Sequence, residues 1–225
     1  APGAIVAPWA ALADSAAIMF LAGQAHGDAW ARVLLGDVNP SGKLPLTIPH
    51  SESDTIEPCK TRRCKYSEGL HGGWRSHIGK PVTYPFGHGL SYTTFKYTWL
   101  AEPPSVVRCN SDSGGSREEA ALTIAVQVEN SGGVAGAEVV QLYLKFPPSA
   151  QEPPYVLRGF AKTPLLPPHT QHTVHLRLSP RDLSTFSIAS SSWQLAAGSF
   201  TAFVGSSSRD FRLTHPFQLK VARSR

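Results

Sequence analysis

Residues 122–130 read LTIAVQVEN, and the alternation inside them decides the fold of the second half of the chain. On an extended backbone Leu122, Ile124, Val126 and Val128 share one face, while Thr123, Ala125, Gln127 and Glu129 share the other. SGGVAG (131–136) then turns the chain. AEVVQLYLKF (137–146) repeats the pattern, with Val140, Leu142, Leu144 and Phe146 together. HTVHLRL (172–178), WQLAAGSFTAFVG (193–205) and FRLTHPFQLKV (211–221) follow, with Gly, Pro and Ser between them. Roughly seven short strands in about 100 residues predict an all-β, immunoglobulin-like β-sandwich.

Upstream the periodicity changes. AIVAP (4–8) is a short apolar run suited to a buried strand, and AALADSAAIMFLAG (10–23) is Ala-rich and helix-favouring. A second helix is expected over 25–35, with Trp30, Val33 and Leu34 at helical spacing and Gly36 just past its end. NPSG (39–42) has the residue order of a type I turn, and KLPLTIP (43–49) is extended because residues before proline avoid the helical region. The polar stretch EPPSVVRCNSDSGGSREE (102–119) reads as a connector. The expected organisation is mixed α/β and all-β: residues 1–97 form an α/β part, 98–120 a linker and 121–225 the sandwich.

Composition excludes several classes of function. The 225 residues are 41% hydrophobic and 16% charged, with 19 Gly and 19 Pro, which suits short strands and many turns. The net charge of +5 is dispersed, and its densest patch is Lys60, Arg62, Arg63 and Lys65. A nucleic-acid surface would show a basic stripe with interleaved aromatics, so no nucleic-acid partner is expected. No run of eighteen apolar residues exists, so no membrane span is expected either.

GDVNPSGKLPLTIP (36–49) superficially suggests a phosphate loop. Five residues separate Gly36 from Gly42, Leu44 replaces the hydroxyl residue, and Pro40 has no N–H to donate, so nucleotide is not expected. Cys59 and Cys64 could close a small loop, leaving Cys109 free. The competing arrangement is a metal site of Cys59, Cys64, His71 and His77, but only six residues separate Cys64 from His71, short of zinc-finger spacing. His169, His172 and His175 would align on a helix. The strand pattern of their neighbours instead puts His172 and His175 on opposite faces and His169 in a loop. No metal and no cofactor are expected, and no G-x-S-x-G elbow offers a serine nucleophile.

Longer motifs carry a resemblance. PWAALADSAAIMFLAGQAHGDAWARVLLGDVNPSGKLPLTIP (8–49), YSEGLHGGWR (66–75) and YPFGHGLSYTTFKY (84–97) resemble the C-terminal part of a glycoside hydrolase family 3 enzyme, the β-glucosidase and β-xylosidase family. VENSGGVAGAEVVQLYL (128–144), LRGF (157–160), LSPRDLSTF (178–186) and FVGSSSRDFRL (203–213) are similar to the fibronectin type III-like domain that closes many members. The resemblance implies a truncated α/β sandwich domain followed by a fibronectin type III-like β-sandwich, with GDVNPSGKLP as a helix-to-strand junction. It also implies a retaining β-glycosidase whose nucleophilic Asp lies on a TIM-like barrel and whose acid/base Glu lies upstream of residue 1. No catalytic residue is therefore transferred to this chain.

The same resemblance implies a carbohydrate substrate, the barrel as partner, and a secreted, lysosomal or vacuolar setting. Two positions depart from the family pattern: Gly23-Gln24-Ala25 replaces GQE, and HGGWRSHI (71–78) replaces an aromatic followed by GYRYYD. The candidate substrate-binding residues are Glu68, as an acceptor of sugar hydroxyls, and Trp74, as a stacking surface. The ordinary alternative for Glu68 is an ion pair with Arg75 or a neighbouring basic residue in a loop, and Asp37 is expected to cap or brace the turn at Asn39. A second class of function, a stand-alone module that binds carbohydrate or protein without catalysis, would call for clustered exposed aromatics. The chain offers only scattered ones, Tyr143, Tyr155, Phe186 and Trp193, most of them at core-compatible positions.

Overall fold

The computed structural model describes residues 3, 5–113 and 115–222. One α-helix, α1 (His26–Leu34), is followed by the short strands β1 (Ile48–Pro49) and β2 (Val82–Tyr84), which pair with each other. Ten further strands follow: β3 (Phe95–Trp99), β4 (Val106–Asn110), β5 (Leu122–Asn130), β6 (Val139–Lys145), β7 (Val156–Lys162), β8 (Gln171–Leu178), β9 (Ser184–Ser187), β10 (Ser192–Leu195), β11 (Gly198–Ser207) and β12 (Asp210–Ala222).

Two sheets form the sandwich. One is five-stranded in the order β4-β12-β11-β6-β7, the other three-stranded in the order β3-β5-β8, and β9 and β10 make a separate hairpin. Leu122, Ile124, Val126 and Val128 of β5 are all buried, as are Val140, Leu142, Leu144 and Phe146 in and after β6. Together with Leu176, Phe200, Val204 and Phe217 they join in one core between the sheets. Period-two patterning produces this because successive side chains leave a strand on opposite sides. The hairpin of β11 and β12 is tight at Gly205, where an added Cβ would lie 1.7 Å from the Asp210 carbonyl oxygen.

The region expected to be a connector is partly sheet. β4 lies inside it, runs parallel to β12 and buries Val107 and Cys109. Polar neighbours on both sides hide this short run in the sequence. β3 pairs with β5 and buries Tyr97.

β6 departs from simple alternation, because Gln141 and Tyr143 are buried as fully as the residues facing the core. The outer face of the five-stranded sheet is thus covered as well. The cover is the earlier segment: the Gln141 amide donates to the Gly87 carbonyl at 3.1 Å and to the Ser206 carbonyl at 2.6 Å, and Tyr143 donates its hydroxyl to Gln141 at 2.6 Å.

Before residue 40 the packing is sparse. α1 forms as expected and ends at Gly36, whose φ of 86° favours glycine. The strand expected over 4–8 has no ladder partner in residues 5–7, and residue 4 lies outside the described residues. The Ala-rich stretch is not an α-helix: a 3₁₀ turn covers Pro8–Leu12, and the chain is irregular to residue 22. Helix propensity alone is weak, and an isolated helix of this length needs an apolar face packed on something. Here Leu12 is 91% exposed and Leu21 85%.

NPSG also differs from expectation. It is held open by the Asn39 side chain, which donates to the Ala135 carbonyl and accepts from Ser91 and the Tyr92 N–H. The brace at this point is therefore Asn39 itself, not Asp37.

Candidate functional site

Residues 56–80 carry both candidate substrate-binding side chains, and two short 3₁₀ helices present them. Gly69–His71 follows Glu68, and Gly73–His77 contains Trp74. The backbone can turn this sharply because Gly69 and Gly73 take φ values of 54° and 63°.

Trp74 faces inward onto the sandwich. Its ring stacks on Phe86 at 4.9 Å, meets Tyr143 edge-on at 5.8 Å and lies 6.0 Å from Tyr155. Tyr155 and Tyr143 continue the cluster to Phe211, which stacks on Phe203 at 4.8 Å. The space beside Trp74 measures about 10 Å³, room for a water and not for a sugar ring. This geometry favours packing over sugar stacking at Trp74.

Polar anchors join the same seam. Lys43 and Glu138 form an ion pair at 2.8 Å with side chains 13% and 5% exposed. Lys43 also donates to the Gly89 carbonyl at 3.3 Å, and the Val139 N–H donates to Glu138 at 2.7 Å. Arg209 donates to the carbonyls of His77 and Lys80. Burial depresses the pKa of His77, aided by the positive charges of Lys80 and Arg209 and opposed by Asp54. Burial likewise depresses His88, with Lys43 adding to the effect and Asp210 opposing it. Burial alone would raise the pKa of Asp210, but hydrogen bonds from Arg212 and Ser206 hold it below the usual carboxylate range.

Glu68 lies elsewhere, in an open groove of about 470 Å³ between residues 56–80 and Pro154 of the sandwich. Arg75, Lys80, His71 and Ser76 line it with Glu68. Glu68 is half-buried and accepts from the Ser67 N–H at 3.0 Å. The expected Glu68–Arg75 ion pair is not found among the described residues; Arg75 uses its Nε on the Gly72 carbonyl instead. The structure thus separates the two candidates, Glu68 at a groove and Trp74 in the aromatic seam.

Cys59 and Cys64 are bonded to each other, with Cα atoms 5.9 Å apart, so neither offers a thiolate ligand alongside His71 and His77. Cys109 is free and buried. No group of three or more metal-ligating side chains occurs among the described residues. His169, His172 and His175 are exposed. Sequence reasoning missed the seam, above all Gln141, Lys43 and Glu138. A glutamine and a tyrosine breaking the hydrophobic count of β6 were the one available signal.

Residues 2–92 match the glycosyl hydrolase family 3 C-terminal domain, and residues 138–208 match the fibronectin type III-like domain. Probable beta-glucosidase D of Aspergillus flavus is 41% identical over 211 residues, covering 89% of this chain and 28% of that protein. Thermostable beta-glucosidase B of Acetivibrio thermocellus is 38% identical over 213 residues, covering 92% of this chain and 27% of that protein. Among solved structures, beta-glucosidase from Kluyveromyces marxianus superposes with a TM-score of 0.83 at 31% identity, over 96% of this chain and 25% of that one. Beta-D-glucoside glucohydrolase from Trichoderma reesei gives 0.78 at 37%, over 88% and 29%. The chain therefore spans little more than a quarter of the length of the relatives it matches.

Proposed function

The chain belongs to glycosyl hydrolase family 3, and from that premise we propose that it works as the C-terminal portion of a retaining β-glucosidase-type or β-xylosidase-type enzyme acting on terminal β-linked sugars. The observation that carries this reading is the pairing of the family's C-terminal domain with a fibronectin type III-like domain in one chain, at about 40% identity to beta-glucosidases. Retaining hydrolysis needs two carboxylates about 5–5.5 Å apart, one attacking and one moving the proton. No position here matches either family carboxylate, so the chemistry falls to a barrel and the upstream part of the α/β domain. The role of this portion is to hold residues 43–49 and 82–92 on a preformed sheet and to present the Glu68 groove. Glu68 is suited to accept sugar hydroxyls there, and Trp74 is suited to anchor the turn whose Arg75 and Ser76 line the groove.

The purified chain should give no turnover of an aryl β-glucoside above buffer background; turnover there would overturn the non-catalytic role. Protein captured from the source cell with an antibody against the sandwich should hydrolyse the same substrate. A captured product without activity would refute the glycosidase reading and leave a stand-alone binding module.

A further inference from the structure

The six residues from Lys60 to Lys65 carry four cations, Lys60, Arg62, Arg63 and Lys65, all exposed. The Cys59–Cys64 bond closes the backbone of Lys60, Arg62 and Arg63 into a small ring, and Lys65 follows just outside it, so these cations stay close together. Only Lys60 has an acidic partner among the described residues, Glu57. Ile56, three residues before the ring, and Ser67, three residues after it, both line the groove that holds Glu68. Arg75 and Lys80 add two more cations on the groove wall, neither of them in an ion pair among the described residues. Tyr66, next in sequence after Lys65, is 72% exposed.

Cations this dense on a backbone tied by a disulfide suit an anionic ligand, because the bond keeps Lys60, Arg62 and Arg63 near one another even in an exposed loop. Guanidinium groups pair with carboxylates through two parallel hydrogen bonds. The acidic residue in the groove narrows the class. Glu68 would repel a dense polyanion such as a nucleic acid, yet a carboxylate accepts hydroxyl hydrogen bonds readily. A ligand that suits the whole arrangement carries sparse negative charge and many hydroxyls. The geometry points to a binding site for an acidic oligosaccharide of the uronic-acid class, with its carboxylates on Arg62, Arg63 and Arg75 and its hydroxyls on Glu68. This inference rests on the carbohydrate reading above and adds the charge of the sugar to it.

The test is calorimetric titration of the chain with a β-1,4-linked tetraglucuronate and, separately, with cellotetraose, which carries a neutral hydroxymethyl group in place of each carboxylate. The acidic tetramer should bind about tenfold or more tightly than the neutral one. Its binding should fade at about 1 M salt, where the Debye length falls to about 3 Å. The double variant Arg62→Ala/Arg63→Ala and the single variant Arg75→Ala should each weaken binding several-fold without moving the unfolding temperature. Glu68→Gln should also weaken it. A gain in affinity for that variant would mean bare charge attraction and overturn the assignment. Equal binding of both tetramers, or none of the acidic one, would overturn it too. Either failure leaves the glycosidase reading intact, because hydrolysis by the captured native protein is measured independently.

Discussion

Lys43 and Glu138 come from opposite sides of the seam and meet where water hardly reaches. Removing one partner from such a pair leaves a buried charge without compensation, at a cost of about 3–5 kcal/mol, while replacing both with apolar residues of similar volume can be neutral. Glu138→Ala should therefore lower stability in urea unfolding by about that amount. The double change Lys43→Met/Glu138→Leu should recover most of the loss, and a double variant no better than the single one would contradict the account.

Protonation acts at the same seam. His77 and His88 both resist protonation in the folded chain, so the unfolded chain binds more protons below the ordinary value of 6.5. Stability then rises with pH. It is full above 6.5 and is lost as pH falls from there toward the depressed folded values. Unfolding midpoints measured at about pH 7.5 and about pH 5.5 should show the drop. The variant His88→Gln should show a shallower one, and an unchanged slope would sink the assignment of His88.

At the scale of elements, the segments before β3 divide by what covers them. Residues 43–49 and 82–92 lie along the sandwich, tied by Lys43, by Gly87 to Gln141 and by Leu44, whose N–H donates to the His88 carbonyl at 2.8 Å. The stretch through residues 9–24 and the loop at 56–70 bury no side chain. Local opening follows such differences, because backbone with few buried contacts opens at little cost. Limited proteolysis should cut first within residues 9–24 and 56–70, and mass spectrometry should recover residues 95–222 intact. Early cuts inside β5, β6 or β11 would contradict this.

Across the whole molecule, one five-stranded sheet serves two cores. Its inner face meets β3, β5 and β8 through Val140, Leu142, Phe200 and Phe217. Its outer face meets Trp74 and Phe86 through Tyr143, Tyr155 and Phe211. The inner core was legible in the residues, since alternation in β5 and β6 follows from the geometry of an extended chain whatever surrounds it. The family motifs, α1 with its terminal Gly36, and the Cys59–Cys64 pairing were legible for the same reason: each depends on residues close together in the sequence. The Ala-rich helix, the NPSG turn and the polar connector read otherwise than the structure shows. Each was decided by partners far along the chain: Ala135 and Tyr92 for Asn39, and β12 for β4, while no side chain of residues 10–23 is buried. The separation of Glu68 from Trp74 belongs with these, because only packing against Tyr143, Tyr155 and Phe86 turns Trp74 inward and leaves Glu68 at the groove. Local stereochemistry is written residue by residue, whereas burial is a property of surfaces that meet only when the chain has folded.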